Sequence, residues 1–211
     1  EQRIQLEKIK NDQLQTELKF LKSQYHPHFL FNALNTVYFQ IDESNKAPRR
    51  TLEMISELLR YQLYGGNQKV SILQEIDYLK TYIALRKLRM SERLRLRVEF
   101  PPELNELNIY PLLFLPLVEN AFKYVGGDYQ LDIIMKWENN RISLFIRNSI
   151  PELSAEDEAL RKSVDERQRK GIGLVNLRRR LSLLYPSKHR LETRKEETEF
   201  VAELMIEIEE I

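Results

Sequence analysis

Three segments of this 211-residue chain carry side chains whose types and spacing could do chemistry. The first is Gln24-Tyr25-His26-Pro27-His28-Phe29-Leu30-Phe31-Asn32-Ala33-Leu34-Asn35. Neutral imidazole is a competent nucleophile near pH 7, because its unperturbed pKa is about 6.5. A lone histidine is more often structural. Here Pro27 distorts the helix just before His28, and Phe29, Leu30 and Phe31 can bury around it, which would fix the ring at a bundle surface. His26 is the rival within the motif, and His189, in the polar turn Ser187-Lys188-His189-Arg190, reads as exposed and structural. The second segment is Pro116-Leu117-Val118-Glu119-Asn120-Ala121-Phe122-Lys123-Tyr124. On a helix, Glu119, Asn120 and Lys123 share a face, so a carboxylate, an amide and an ammonium converge. An amide oxygen suits Mg²⁺, an ammonium neutralises phosphate charge, and a carboxylate takes a proton or positions a water. The plain alternative is a solvated helix face with one fortuitous ion pair. The third segment is Gly171-Ile172-Gly173-Leu174-Val175-Asn176-Leu177, followed by Arg178-Arg179-Arg180-Leu181. Its glycines let backbone N–H groups approach phosphate oxygens, and the helix that follows offers its positive end. Arg169, Lys170 and Arg178 to Arg180 add positive potential. The plain alternative here is an ordinary loop-to-helix junction.

Composition limits the classes of function. Lys plus Arg (33) nearly cancel Asp plus Glu (32), so net charge gives no argument for nucleic acid, a membrane surface or acidic substrates. There are no cysteines, which excludes disulfides, thiolate chemistry and zinc–thiolate sites. A 42% hydrophobic and 31% charged share is ordinary for a helix-rich globular chain, long enough for one large or two small domains. No apolar run approaches the ~18 residues of a membrane helix, and no signal peptide is visible. The chain opens at Glu1 in a helical pattern, so we expect a fragment of something longer on its N-terminal side.

The elements that must position these residues follow from periodicity. Leu14, Leu18, Leu21 and Tyr25 step by four, three and four, an a/d seam whose next register position is His28. One amphipathic helix packing on its own domain and a two-chain coiled coil that relays a signal fit this seam equally. The helix continues through Pro27 with a kink to about Asp42, and Glu43 to Pro48 reads as a turn. A second helix carries Leu52, Ile55, Leu58, Leu59 and Leu63 on one face and stops at Gly65-Gly66-Asn67. Such a hairpin has too little core alone, so pairing two into a four-helix bundle is the natural solution. A helix over about Leu73–Arg89, a strand over Leu94–Phe100 and a helix over about Leu112–Val125 come next. A hairpin then turns at Glu138-Asn139-Asn140, and residues 150–170 read as a mobile loop. A helix near Gly173–Leu184 and strands near 190–194 and 199–208 complete an α+β sandwich with a mixed sheet and helices on one face.

In order and spacing the three segments resemble the LytS-type sensor histidine kinases, from about Glu17 to Ile206. That family joins a helical-hairpin dimerisation domain, a four-helix bundle as dimer, to a GHKL-type ATP-binding domain. The resemblance implies three regions: a signalling coiled-coil helix over 1–25, a dimerisation and histidine phosphotransfer hairpin over 26–66, and an ATP-binding catalytic domain over 67–211. It implies ATP-dependent autophosphorylation of His28, then transfer to an aspartate of a response regulator, with a LytTR type as candidate. Asn120 stands where the family binds Mg²⁺, and Glu119 is the second catalytic candidate. Lys123, Tyr124, Gly171, Gly173, Leu174, Asn176 and Arg180 fall on the nucleotide-binding pattern, the last two as the weaker candidates. The implied setting is a homodimer in the cytoplasmic part of an inner-membrane-anchored bacterial receptor, without nucleic acid. One departure matters. Where the wider superfamily carries Asp-x-Gly-x-Gly, this chain has Asn148-Ser149-Ile150, with neither glycine. In one reading adenine recognition is lost and the chain is a dimeric signalling scaffold with a degenerate nucleotide pocket. In the other, which we favour, Asn148 accepts from the adenine amino group through its amide oxygen and donates through its NH₂. A simple ATPase would leave the His28 motif unexplained.

Overall fold

The computed structural model describes residues 27–64, 68–102, 104, 107–151 and 172–208. The seam over 1–25, His26, the Gly65-Gly66-Asn67 stop, residues 152–170 of the expected loop and Gly171 lie outside the described residues. The chain divides into two compact units, Glu1–Leu59 and Arg60–Ile211.

In the first unit, helix α1 (Pro27–Gln40) is followed by helix α2 (Lys46–Tyr64), whose last turn, from Arg60 on, falls in the second unit. Asp42 makes the turn between them, its carboxylate accepting the Ser44 N–H at 2.8 Å. That bond and the Ser44 hydroxyl hold the Asp42 carboxyl below its ordinary range. Pro48 sits in the first turn of α2, where a missing N–H is harmless. The Tyr38 hydroxyl of α1 donates to Glu53 of α2 at 2.8 Å, and the Arg49 guanidinium lies 4.5 Å over the Tyr38 ring. No residue of α1 is buried. The expectation that Phe29, Leu30 and Phe31 bury around His28 is therefore not met within one chain. Phe29 is 72% exposed and the other two are half-buried, because two helices can cover only one side of each other.

The second unit is the expected α+β arrangement. Strand β1 (Val70–Ser71) leads into helix α3 (Ile72–Lys87) through a capping box. Ser71 Oγ accepts the Leu73 N–H at 3.3 Å, and the Gln74 side chain reaches back to the Ser71 N–H at 3.2 Å. Then come β2 (Arg95–Glu99), β3 (Asn108–Ile109), helix α4 (Leu115–Tyr124), β4 (Gln130–Glu138), β5 (Arg141–Ser149), helix α5 (Ile172–Leu184), β6 (His189–Lys195) and β7 (Glu199–Glu207). The main sheet runs β2-β4-β5-β7-β6, with β2 parallel to β4 and the other pairs antiparallel. Strands β1 and β3 form a separate antiparallel pair, two residues each, too short to show an alternation in sequence. Asn139 and Asn140 turn the β4–β5 hairpin with φ of 51° and 60°, the left-handed pair that a two-residue loop demands.

Alternation decides which side of the sheet is core. Leu131, Ile133, Met135, Ile142, Leu144, Ile146, Ala202, Leu204 and Ile206 are buried on one face. Ile76, Leu79, Ile83, Leu117, Val118, Phe122, Leu177 and Leu181 are among the buried residues of the three helices. The opposite face carries the Arg97–Asp132–Arg147 row, in which Arg147 donates to Asp132 at 2.6 Å.

Two further expectations are corrected. Helix α4 begins at Leu115, three residues later than its apolar pattern suggests, because Leu112 has φ of 58° and leaves the helical region. His189 is half-buried at the start of β6, its Nδ1 2.7 Å from the Tyr185 carbonyl, rather than exposed.

Candidate functional site

His28 lies exposed on α1. One turn on, the Asn32 amide nitrogen is 3.1 Å from His28 Nδ1, so the amide holds one edge of the ring. Phe29, immediately after it, is also exposed.

Helix α4 presents the second set. Its buried side, Leu117, Val118, Ala121 and Phe122, packs it on β5 and leaves Asn120 half-exposed and Glu119 and Lys123 exposed. The three polar groups share the helix surface but do not bond one another. Partial burial raises the Glu119 carboxyl above its ordinary value, and the charge of Arg86 of α3 opposes the rise. The Lys123 ammonium lies 5.0 Å over the ring of Tyr124, a cation–π contact that keeps it at the C-terminal end of the helix. The Asn120 amide makes no hydrogen bond to another described residue. As a donor set it fits Mg²⁺, which takes one or two protein oxygens and keeps its waters.

Asn148 stands at the end of β5, on the face covered by α4, and is fully buried. Its Nδ2 donates to the Ser149 carbonyl at 3.3 Å, while its Oδ1 has no partner. Buried polar oxygens are seldom left unpaired, and a lone acceptor fits a ligand that brings its own N–H donor, such as an adenine amino group. Next to it, Ser149 closes the α4–β4 turn. Its Oγ donates to the Gly126 carbonyl at 2.6 Å and accepts the Gln130 N–H at 2.8 Å. Gly127 has φ of 59°, and a β-carbon there would stand 3.0 Å from the Ile150 carbonyl; one on Gly126 would stand 2.9 Å from Pro151 Cδ. The β5 terminus, which has no glycine of its own, thus packs on the glycines of the α4–β4 turn. Gly126-Gly127 is a turn signal passed over in the sequence reading.

Helix α5 packs on α4. A β-carbon on Gly173 would meet nothing within 4 Å, so the space before a phosphate-type approach is open there. Leu174 is half-buried and Asn176 exposed. Arg180 points elsewhere. Its guanidinium donates to the Pro111 carbonyl at 2.8 Å and to the Leu112 carbonyl at 3.4 Å, at the turn that precedes α4. Glu75 of α3, also passed over, meets the same turn. It is fully buried, and its Oε2 accepts the Leu112 N–H at 2.9 Å and the Tyr61 hydroxyl at 2.7 Å. A carboxylate flanked by Ile72, Ile76 and Leu79 on an apolar helix face was the available signal. Among the described residues no group of acidic and histidine side chains is arranged to hold a metal, and no helix is long and apolar enough to cross a membrane.

Residues 16–94, which include His28, Asn32 and Glu75, match the family model for histidine kinases. The sensor protein kinase HptS of Staphylococcus aureus, in strains USA300 and NCTC 8325 / PS 47, is 29% identical over 180 residues, covering 83% of this chain and 35% of the relative. The chain thus spans about a third of the length of the curated relatives it matches. Among solved structures, the catalytic domain of histidine kinase ThkA aligns with a TM-score of 0.43 at 17% identity, over 66% of this chain and 93% of that one. Full-length ShkA in complex with AMPPNP aligns with a TM-score of 0.48 at 14% identity, over 92% and 46%. The histidine kinase AdeS of Acinetobacter baumannii aligns with a TM-score of 0.44 at 13% identity, over 88% and 96%.

Proposed function

We propose that this chain is the phosphoacceptor and ATP-binding part of a sensor histidine kinase of a two-component system. The observation that carries the reading is His28, exposed on α1 inside the segment that matches the histidine kinase family. An unprotonated ring nitrogen of His28 attacks the γ-phosphorus of ATP, an N–P bond forms, the bond to the bridging oxygen breaks, and ADP leaves with that oxygen. The imidazole needs no strong base, since its neutral form already carries the lone pair. Asn148 Oδ1 takes the adenine amino group. Asn120 would hold Mg²⁺ through its amide oxygen, and the ion would supply charge neutralisation at the phosphates. Lys123 adds positive charge at the phosphates, Glu119 handles a proton or a water, and Tyr124, Gly171, Gly173, Leu174 and Asn176 complete the pocket wall. In this reading residues 1–25 relay a signal, 26–66 form the dimerisation hairpin and 67–211 the catalytic domain. The partners are a second copy of the chain and a response regulator of LytTR type, and the receptor is anchored in the inner membrane by a segment upstream.

Incubation with labelled Mg-ATP tests it. Acid-labile, base-stable label is expected on the wild type and absent from His28→Gln; label that persists in His28→Gln overturns the assignment. Asn148→Leu replaces a buried amide, whose Oδ1 is unpaired and whose Nδ2 makes one long bond, by an apolar group of similar shape, so the fold should survive. Mg-ATP affinity should fall about tenfold, the ~1.4 kcal/mol of one good hydrogen bond. A second reading, a dimeric scaffold with a degenerate pocket, is favoured by Pro151 packing on Gly126 where the family has a glycine-rich segment. Calorimetry that finds no ATP or ADP binding at millimolar concentration selects it.

A further inference from the structure

The turn before α4 is held by side chains from two other helices, and this bears on where Asn120 stands. Leu112 has φ of 58°, a conformation that a γ-branched residue adopts only when its surroundings impose it. Its N–H is taken by Glu75 at 2.9 Å and its C=O by Arg180 at 3.4 Å, and Arg180 also takes the Pro111 carbonyl at 2.8 Å. One residue earlier, the Tyr110 N–H donates to the Tyr185 hydroxyl at 3.3 Å. Glu75 is fully buried, with 0% of its surface exposed. A filler for that volume would be apolar; here Oε2 accepts both hydrogen bonds and Oε1 is buried without a partner, a desolvation cost that the Oε2 bonds to the turn and to Tyr61 must offset.

We propose that Glu75 and Arg180 are positioning residues for nucleotide binding. Together they clamp Leu112 by its N–H and its C=O, keep it left-handed, and so set where α4 starts and where Asn120 is presented. This rests on the reading of α4 as the nucleotide helix. It also gives Arg180 a role distinct from phosphate contact. The clamp has a third arm: the Tyr61 hydroxyl donates to Glu75 at 2.7 Å, and Tyr61 stacks on Tyr78 with ring centroids 4.6 Å apart.

The test measures Mg-ADP affinity by calorimetry on the chain and on four variants. Glu75→Ala should weaken Mg-ADP at least tenfold. Glu75→Gln, whose amide oxygen still accepts the Leu112 N–H, should stay within threefold of wild type. Glycine adopts the left-handed conformation without help. Leu112→Gly placed in the Glu75→Ala background should therefore restore affinity to within threefold of Leu112→Gly alone. A Glu75 that only fills space would not be rescued this way, so a double variant as weak as Glu75→Ala overturns the proposal, as does a Glu75→Ala with wild-type affinity. If Glu75→Ala does not fold, Arg180→Met replaces it with the same two expectations. If wild type itself binds no Mg-ADP, the reading of α4 fails while the clamp is still tested by amide exchange. Loss of either clamp residue should then speed exchange at the Leu117 and Val118 amides, both bonded to the Phe114 carbonyl, at least tenfold, and unchanged exchange overturns it.

Discussion

At the scale of single residues, two buried polar groups decide more than the histidine does. Asn148 keeps an acceptor unpaired and Glu75 keeps a carboxylate out of water. Burial holds the Glu75 carboxyl above its ordinary value of 4.5, so the folded chain retains a proton that the unfolded chain has already released. Raising the pH from about 4.5 toward the folded value therefore removes stability, and below 4.5 both states are protonated and the effect vanishes. Glu75→Gln does not titrate. The melting temperature of wild type should fall relative to Glu75→Gln as pH climbs through that window and run parallel below it. A wild type that gains on the variant across the window would contradict a carboxyl raised by burial.

At the scale of elements, the α4–β4 turn is the tightest joint near the proposed pocket. Gly127 needs its left-handed φ and has no room for a β-carbon beside the Ile150 carbonyl. Gly127→Ala should lower unfolding free energy by about 1–2 kcal/mol for the left-handed conformation alone, measured by urea titration, with the contact adding to it. Gly173→Ala, in open space, should cost no more than the few tenths expected of a helix-start position, and a larger loss would point to a contact from beyond the described residues. Helix α4 itself was placed correctly by its apolar spacing. Its first residue was not, because no local preference announces a leucine held left-handed by Glu75 and Arg180, residues 37 and 68 positions away from Leu112.

At the scale of the whole molecule, α1 has no buried residue, and Phe29 and Phe39 are 72% and 78% exposed. Two large aromatics on one short helix are a surface that a second copy can cover. Sedimentation velocity should find a dimer at micromolar concentration, and Phe39→Glu should shift it to monomer. A monomeric wild type, or a dimer indifferent to Phe39→Glu, would remove α1 from the dimer interface.

The sequence by itself determined the candidate acceptor, the order of the elements and the face of the sheet that becomes core. Each of these is a local property: a motif, a period of 3.6 or of 2, a turn dipeptide. Asn148 was legible in the same way, as a named residue in a named place. Only the tertiary structure decided that its amide oxygen is buried without a partner, since pairing depends on what β4, β7 and α4 bring to it. The same holds for Arg180, which sequence assigns to the nucleotide and the fold aims at the Leu112 turn. Where a side chain points is set by residues distant in the chain and adjacent in space, and periodicity carries no information about them.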